Sequence, residues 1–437
     1  MIELLALLGA GLLGYALISK KVESGPLTAP LCFTALGIGA GSLLTDKPAL
    51  DESASWVHVL AEITLVLVLF SDASRIPIGR LRREHALPLR LLVVGMPLTI
   101  VLGTAIAYGM MPGLGVWAAA LLASILTPTD AALGQAVVSS PVLPVRIRQT
   151  LNVESGLNDG IAYPAVFFFL SAAESLAPEG SAPSHWLGFV ALQLGLGPLI
   201  GIAVGYAGGR ALERAHSRGT IQSTFERISV VGLSVLAFAL ADLVGGNGFI
   251  AAFTAGLTVG NVAKAVSNRL IEFGETEGQL LSLVTFSLFG ALIVPEALAK
   301  AGPIEWIYAV LSLTVIRFLP VMISLMGTGL EWSSVGFLGW FGPRGLASIL
   351  FLLIAVEESQ LPELDRLQSI VGLTVLMSVV AHGMTAAPFS RWYGRKMKHL
   401  ESHRPESVEH RSVTTFPLRH GGHRHPETDS AKPTTQG

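Results

Sequence analysis

The feature that most constrains this chain is the recurrence of apolar, nearly uncharged stretches of about 20 residues, the length that carries an α-helix through about 30 Å of hydrocarbon. They predict spans at about 2–19, 26–44, 55–71, 88–109, 115–139, 147–171, 186–209, 226–242, 247–263, 277–298, 303–326, 332–356 and 368–392, thirteen in all. Composition agrees: 51% of the 437 residues are apolar and 14% are charged, against about 25% charged in soluble proteins. The 29 Lys+Arg nearly cancel 31 Asp+Glu, which excludes nucleic-acid binding driven by net basic charge. A single cysteine, Cys32, excludes an intramolecular disulfide framework and any multi-cysteine metal site. The 47 glycines suit close helix packing in lipid. The first span lacks a basic n-region and a small-residue cleavage site, so it reads as a retained helix. The fold class expected is an all-α polytopic membrane protein.

Basic residues orient the spans. With the N-terminus outside, nineteen Lys and Arg fall on the cytoplasmic side, and only Lys47, Lys300 and Arg366 on the other. Residues 394–437 are rich in His, Ser, Thr, Pro and charge without apolar periodicity, and read as a disordered cytoplasmic tail. The tail holds six of the eleven histidines, His399, His403, His410, His420, His423 and His425. Histidine titrates near neutral pH, but a solvated disordered tail explains them better than pH sensing does.

Ionisable groups deep in a bilayer cost about 2.5–3.5 kcal/mol each on insertion scales and are functional hypotheses by default. Here they are Asp130 in span five, Glu154 and Asp159 in span six, Arg317 in span eleven and Arg344 in span twelve. Three acids against two arginines leave one negative charge in excess, which suits one monovalent cation or one proton. Helical spacing stacks Ser155 over Asp159 on one stripe and Glu154 over Asn158 on the next. The first stripe offers a cation a carboxylate and a hydroxyl. The second reads as structural, a carboxylate braced by an amide and an arginine.

Thr127-Pro128-Thr129-Asp130 interrupts span five, and Phe341-Gly342-Pro343-Arg344-Gly345 interrupts span twelve. Proline removes a backbone donor and clashes with the preceding turn, and the freed groups are tolerated in a membrane only inside protein or along a cavity. Spans five and twelve cross in opposite directions, so interrupted helices in matching positions point to inverted repeats, spans one to six against eight to thirteen. Arg344 is placed to compensate carbonyl dipoles where they cross.

At these residues the chain resembles the cation/proton antiporter superfamily, in its electroneutral sodium/proton exchanger branch. The motifs are Thr127-Pro128-Thr129-Asp130, Glu154-Ser155-Gly156-Leu157-Asn158-Asp159, Arg317 in Ile316-Arg317-Phe318-Leu319-Pro320, Gly342-Pro343-Arg344-Gly345 and His382-Gly383-Met384-Thr385. The resemblance covers residues 1–393 and implies a transporter rather than an enzyme: a homodimer in the cell (inner) membrane, without cofactor, working as an elevator. Scaffold helices would be about 1–71 and 186–298, and ion-transport core helices about 88–171 and 303–392. It implies that Asp159 binds H⁺ or a cation (Na⁺, with Li⁺ or K⁺ as alternatives), with oxygens from Thr129 and Ser155 and with Asp130 beside them. Glu154 would pair with Arg317, Asn158 would support that pair, and Asp72 would sit near the cytoplasmic entrance. Family members with two adjacent aspartates at 158–159 are electrogenic, so Asn158 implies 1:1 electroneutral exchange. Ala131 departs from the proline frequent there. Rival readings are a cation channel, for which no carbonyl-ring filter is visible, and a serine hydrolase using Ser155 and His382, which lacks the Gly-x-Ser-x-Gly context.

Overall fold

The computed structural model describes residues 2–23, 27–43, 50–76, 78–79, 86–130, 133–138, 140–175, 183–265, 267–403 and 408–410. All regular structure among them is helical, as lipid demands of a chain that must satisfy its backbone within each segment. In order these are α1 (Ile2–Glu23), α2 (Ala29–Leu43), α3 (Leu50–Ser74) and α4 (Ala86–Met110). Next come the interrupted pair α5a (Val116–Ile125) and α5b (Gln135–Val138), then α6 (Val145–Ser175), α7 (Pro183–Ser217), α8 (Ser223–Leu243) and α9 (Gly248–Val262). Then follow α10 (Ser267–Leu288, continued through a π turn to Lys300), α11 (Pro303–Ser324), α12a (Trp332–Trp340), α12b (Leu346–Glu358) and α13 (Leu364–His403).

By length and apolarity together, α4, α8, the Thr276–Lys300 stretch of α10, α11 and α13 can each cross a bilayer. Shorter apolar stretches are Ala6–Lys20, Ala29–Ser42, α5a and α9. The breaks fall at the prolines, each helped by the restriction that proline puts on the residue before it. α5a stops at Leu126, before Thr127 and Pro128, and α12a stops at Phe341, before Gly342 and Pro343.

Small residues let helices approach closely where lipid gives no hydrophobic drive between them. α7 lies on α9 and α9 lies on α3. A side chain at Gly205 of α7 would come within 2.6 Å of the Ala255 carbonyl oxygen. One at Gly256 or Gly260 of α9 would strike the carbonyls of Phe70 or Ser74 on α3. α4 packs on α5a, α5a on α6, and α11 and α12b on α13. Their shared interior includes Leu122, Ile125, Val166, Phe351 and Val375, all buried.

The structure corrects the expected start of the tail. α13 does not end near residue 393 but runs on to His403. Tyr393, Met397 and the partly buried Leu400 form an apolar stripe at helical spacing, and Phe337 stacks on Tyr393 with ring centroids 4.3 Å apart. Composition alone hides that stripe among charges. Further on, Val408–His410 forms a 3-10 turn whose Glu409 is buried, accepting from the Ser334 hydroxyl at 2.7 Å and the Glu331 backbone N–H at 2.8 Å. Ala131, His420, His423 and His425 lie outside the described residues.

Candidate functional site

The two breaks meet. Helix ends expose unpaired carbonyls and N–H groups, and here each interrupted helix supplies what the other's end lacks. At the end of α5a, the carbonyls of Thr127 and Pro128 both accept from Nη1 of Arg344, the second at 3.3 Å. The Ile125 carbonyl accepts from the Ser348 hydroxyl of α12b at 2.8 Å. At the start of α12b, the Leu346 N–H donates to the Asp130 carboxylate at 2.8 Å, and the Asp130 N–H donates to the Pro343 carbonyl at 2.7 Å. An acid therefore sits at a helix N-terminus and a cation at a helix C-terminal end, the signs that the helix dipole favours. Ser378 of α13 accepts from the Arg344 N–H at 2.7 Å. Arg344 and Asp130 are both buried.

α6 passes this crossing with two stripes. Ser155 and Thr129 share a hydrogen bond between hydroxyls at 3.1 Å, and the Asn158 amide donates to Thr129 Oγ1 at 2.6 Å. Thr129, Ser155 and Asn158 are buried, and Asp159, next along the chain, is partly exposed. One turn earlier Glu154, 2% exposed, is ion-paired with Arg317 of α11 at 2.7 Å. Glycine keeps α11 close, since a side chain at Gly342 would collide with the Arg317 guanidinium. Asp72 of α3 is partly exposed and sits beside Gly156, where an added Cβ would touch its own Cβ at 3.9 Å.

Asn158 is placed differently from expectation. Its amide reaches across to α5 through Thr129 rather than bracing Glu154 and Arg317, leaving its Oδ1 buried without a hydrogen-bond partner. A buried orphan carbonyl oxygen is costly unless something electropositive reaches it. The hydrolase reading finds no assembled pair: Ser155 faces Thr129, while the His382 ring engages Ser378 and, through Nε2 at 2.9 Å, the Trp340 carbonyl. Sequence reasoning missed Ser348 and Ser378. A serine four residues past Arg344 on an apolar helix was the available signal for the first.

Comparison with known proteins follows the geometry. A profile described as sodium/hydrogen exchanger, transmembrane, matches residues 7–392. The K(+)/H(+) antiporter NhaP of Alkalimonas amylolytica is 26% identical over 397 residues, covering 89% of this chain and 67% of the relative. The Na(+)/H(+) antiporter ApNhaP of Aphanothece halophytica is 26% identical over 392 residues, covering 85% and 71%. Among solved structures, the sodium proton antiporter MjNhaP1 from Methanocaldococcus jannaschii at pH 8 superposes with a TM-score of 0.74 at 19% identity, covering 89% of this chain and 98% of that one. That likeness is one of fold.

Proposed function

The chain belongs to the sodium/hydrogen exchanger family, and from that premise we propose that it exchanges a monovalent cation for H⁺ through strict alternation at the Asp159 carboxylate. The observation that carries the reading is the cluster at the crossing: two hydroxyls, Thr129 and Ser155, and the orphan Asn158 oxygen, gathered on α5 and α6 next to a partly exposed acid. Hard cations take oxygen ligands, and crossed broken helices are where membrane transporters place such sites.

Asp159 receives either the proton or the ion. Ser155 and Thr129 add neutral oxygens to the ion-bound state. Asp130 and Arg344 hold the crossing open by satisfying its backbone ends, and the pair of Glu154 with Arg317 fixes α6 against α11. Asp72 receives cations from the cytoplasmic side. Because Asn158 cannot ionise, one carboxylate takes one H⁺ or one cation, giving 1:1 electroneutral exchange. Na⁺ is the cation assigned, with Li⁺ and K⁺ as alternatives; relatives include antiporters named for K⁺ and for Na⁺.

In this reading thirteen spans form two inverted six-helix repeats joined by α7. The core, α4–α6 and α11–α13, moves as an elevator against a homodimeric scaffold of α1–α3 and α7–α10. The N-terminus is outside, in the cell (inner) membrane. A loaded or protonated site crosses the bilayer centre and an empty charged one does not, which enforces coupling.

In proteoliposomes carrying a pH-sensitive dye, Asp159→Asn loses cation-driven proton flux while the protein remains folded and monodisperse. Normal flux from that variant would sink the reading. Wild-type rates stay constant as the membrane potential is clamped at different values; a steep voltage dependence would overturn the 1:1 stoichiometry.

A further inference from the structure

Away from the crossing, the loop joining α5b to α6 and the last turns of α13 line an open recess of about 870 Å³. Among its described lining residues are five cationic side chains, Arg146 and Arg148 from the start of α6, and Arg391, Arg395 and Lys398 from α13. Arg391, Arg395 and Lys398 recur at i, i+4 and i+7, so one face of α13 presents all three. Two acids share the lining, Glu401 and Glu409. Glu409 is committed, since it accepts from Ser334 and from the Glu331 backbone. Five cations against two acids leave the lining with an excess of positive charge. Arg148 adds a second sign: its Nε is buried with no hydrogen-bond partner, a state that costs free energy until an acceptor arrives.

We propose that this recess binds a phosphate-bearing anion, through Arg148 on α6 and Arg395 and Lys398 on α13. Guanidinium groups match phosphate oxygens with paired hydrogen bonds, which favours this ligand class over a simple halide. The surroundings suit a lipid headgroup. Half-exposed Trp392 carries the Lys396 ammonium 5.8 Å from its ring centre, and Val142 and Phe389 are exposed nearby in the chain. Aromatic rings and long cations of this kind collect at the headgroup level of a bilayer, and basic recesses between helices hold anionic headgroups there. Free phosphate shares the same chemistry. Either ligand would clamp α6 to α13. Arg148 lies seven residues, about two turns, before Ser155 on the helix that carries Asp159.

The test uses the purified full chain in a neutral detergent and follows its apparent Tm. The added probes are dioleoylphosphatidylglycerol, dioleoylphosphatidylcholine, and phosphate as its Tris salt, so that no transported cation is varied. The glycerol lipid raises the Tm and the choline lipid does not. In Arg395→Gln/Lys398→Gln, both surface residues, half-maximal stabilisation requires about tenfold more lipid, in line with the loss of charge-assisted hydrogen bonds. Arg148→Gln behaves alike; should it fail to fold, the surface pair decides. Phosphate that raises the Tm alone identifies a free anion as ligand, and phosphate without effect assigns the lipid. Absence of stabilisation by either probe, or an unchanged response in the α13 double variant, overturns the proposal.

Discussion

Two carboxylates on α6, five residues apart, have opposite surroundings. Glu154 is 2% exposed and locked to Arg317, whereas Asp159 is partly exposed and follows Asn158, whose amide donates to Thr129. Their functional group is the same and their helix is the same. What differs is the neighbouring element: α11 brings a guanidinium to Glu154, and the broken α5 brings the Thr129 hydroxyl to Ser155, one turn before Asp159. An acid held by a fixed cation has little reason to exchange it. The partly exposed one, Asp159, is the better candidate for the exchanging group proposed above. Under the proposed function, position on the helix, not acidity, separates scaffold from transport chemistry.

The sharpest way to break this contrast is to neutralise both acids in turn. Asp159→Asn is expected to remove flux and leave the protein intact, as set out above. Glu154→Gln strands the buried Arg317 charge, which costs about 3–5 kcal/mol, and is expected to give a large loss of folded protein by fluorescence-detected size exclusion. If Glu154→Gln instead expresses normally and shifts only cation affinity, Glu154 is a ligand and the two roles must be redrawn. Next in size is Gly345→Ala. Its new methyl would meet the Asp130 carboxylate carbon at 2.7 Å, an overpacking that costs about 1–3 kcal/mol, so thermal stability and transport both fall. A fully active, equally stable variant would mean that Asp130 does not need to cap α12b. The smallest effect belongs to Ser155→Ala, which removes one neutral oxygen. The expected result is about fivefold weaker apparent cation affinity with the maximal rate retained, read from flux against cation concentration.

Part of this contrast is legible in the sequence. The prolines at 128 and 343 mark both interruptions, and a deep acid, Glu154, with a deep arginine, Arg317, matches the ion pair seen between them. The partner of Asn158 was not legible, because a break resets helical phase and periodicity no longer says which way Thr129 points. Ser348 and Ser378 escaped for a related reason. Their acceptor and donor are backbone groups freed 223 and 34 residues away in sequence, which no local pattern encodes. The extension of α13 beyond residue 393 was masked by charge, although Tyr393 and Met397 carried the signal at helical spacing.

The reciprocal capping of the two interrupted helices also bears on how the molecule is made. Asp130 waits for a backbone N–H lying 216 residues downstream, and the Thr127 carbonyl for a guanidinium 217 residues downstream. A nascent chain that has emerged only as far as α5 holds unanswered polar ends within hydrocarbon. The first half is thus committed to an unfinished state while 216 of the 437 residues are added, until the second half arrives. Severing the gene between the halves should leave an orphan fragment that membrane quality control removes, and supplying the missing fragment in trans should rescue it.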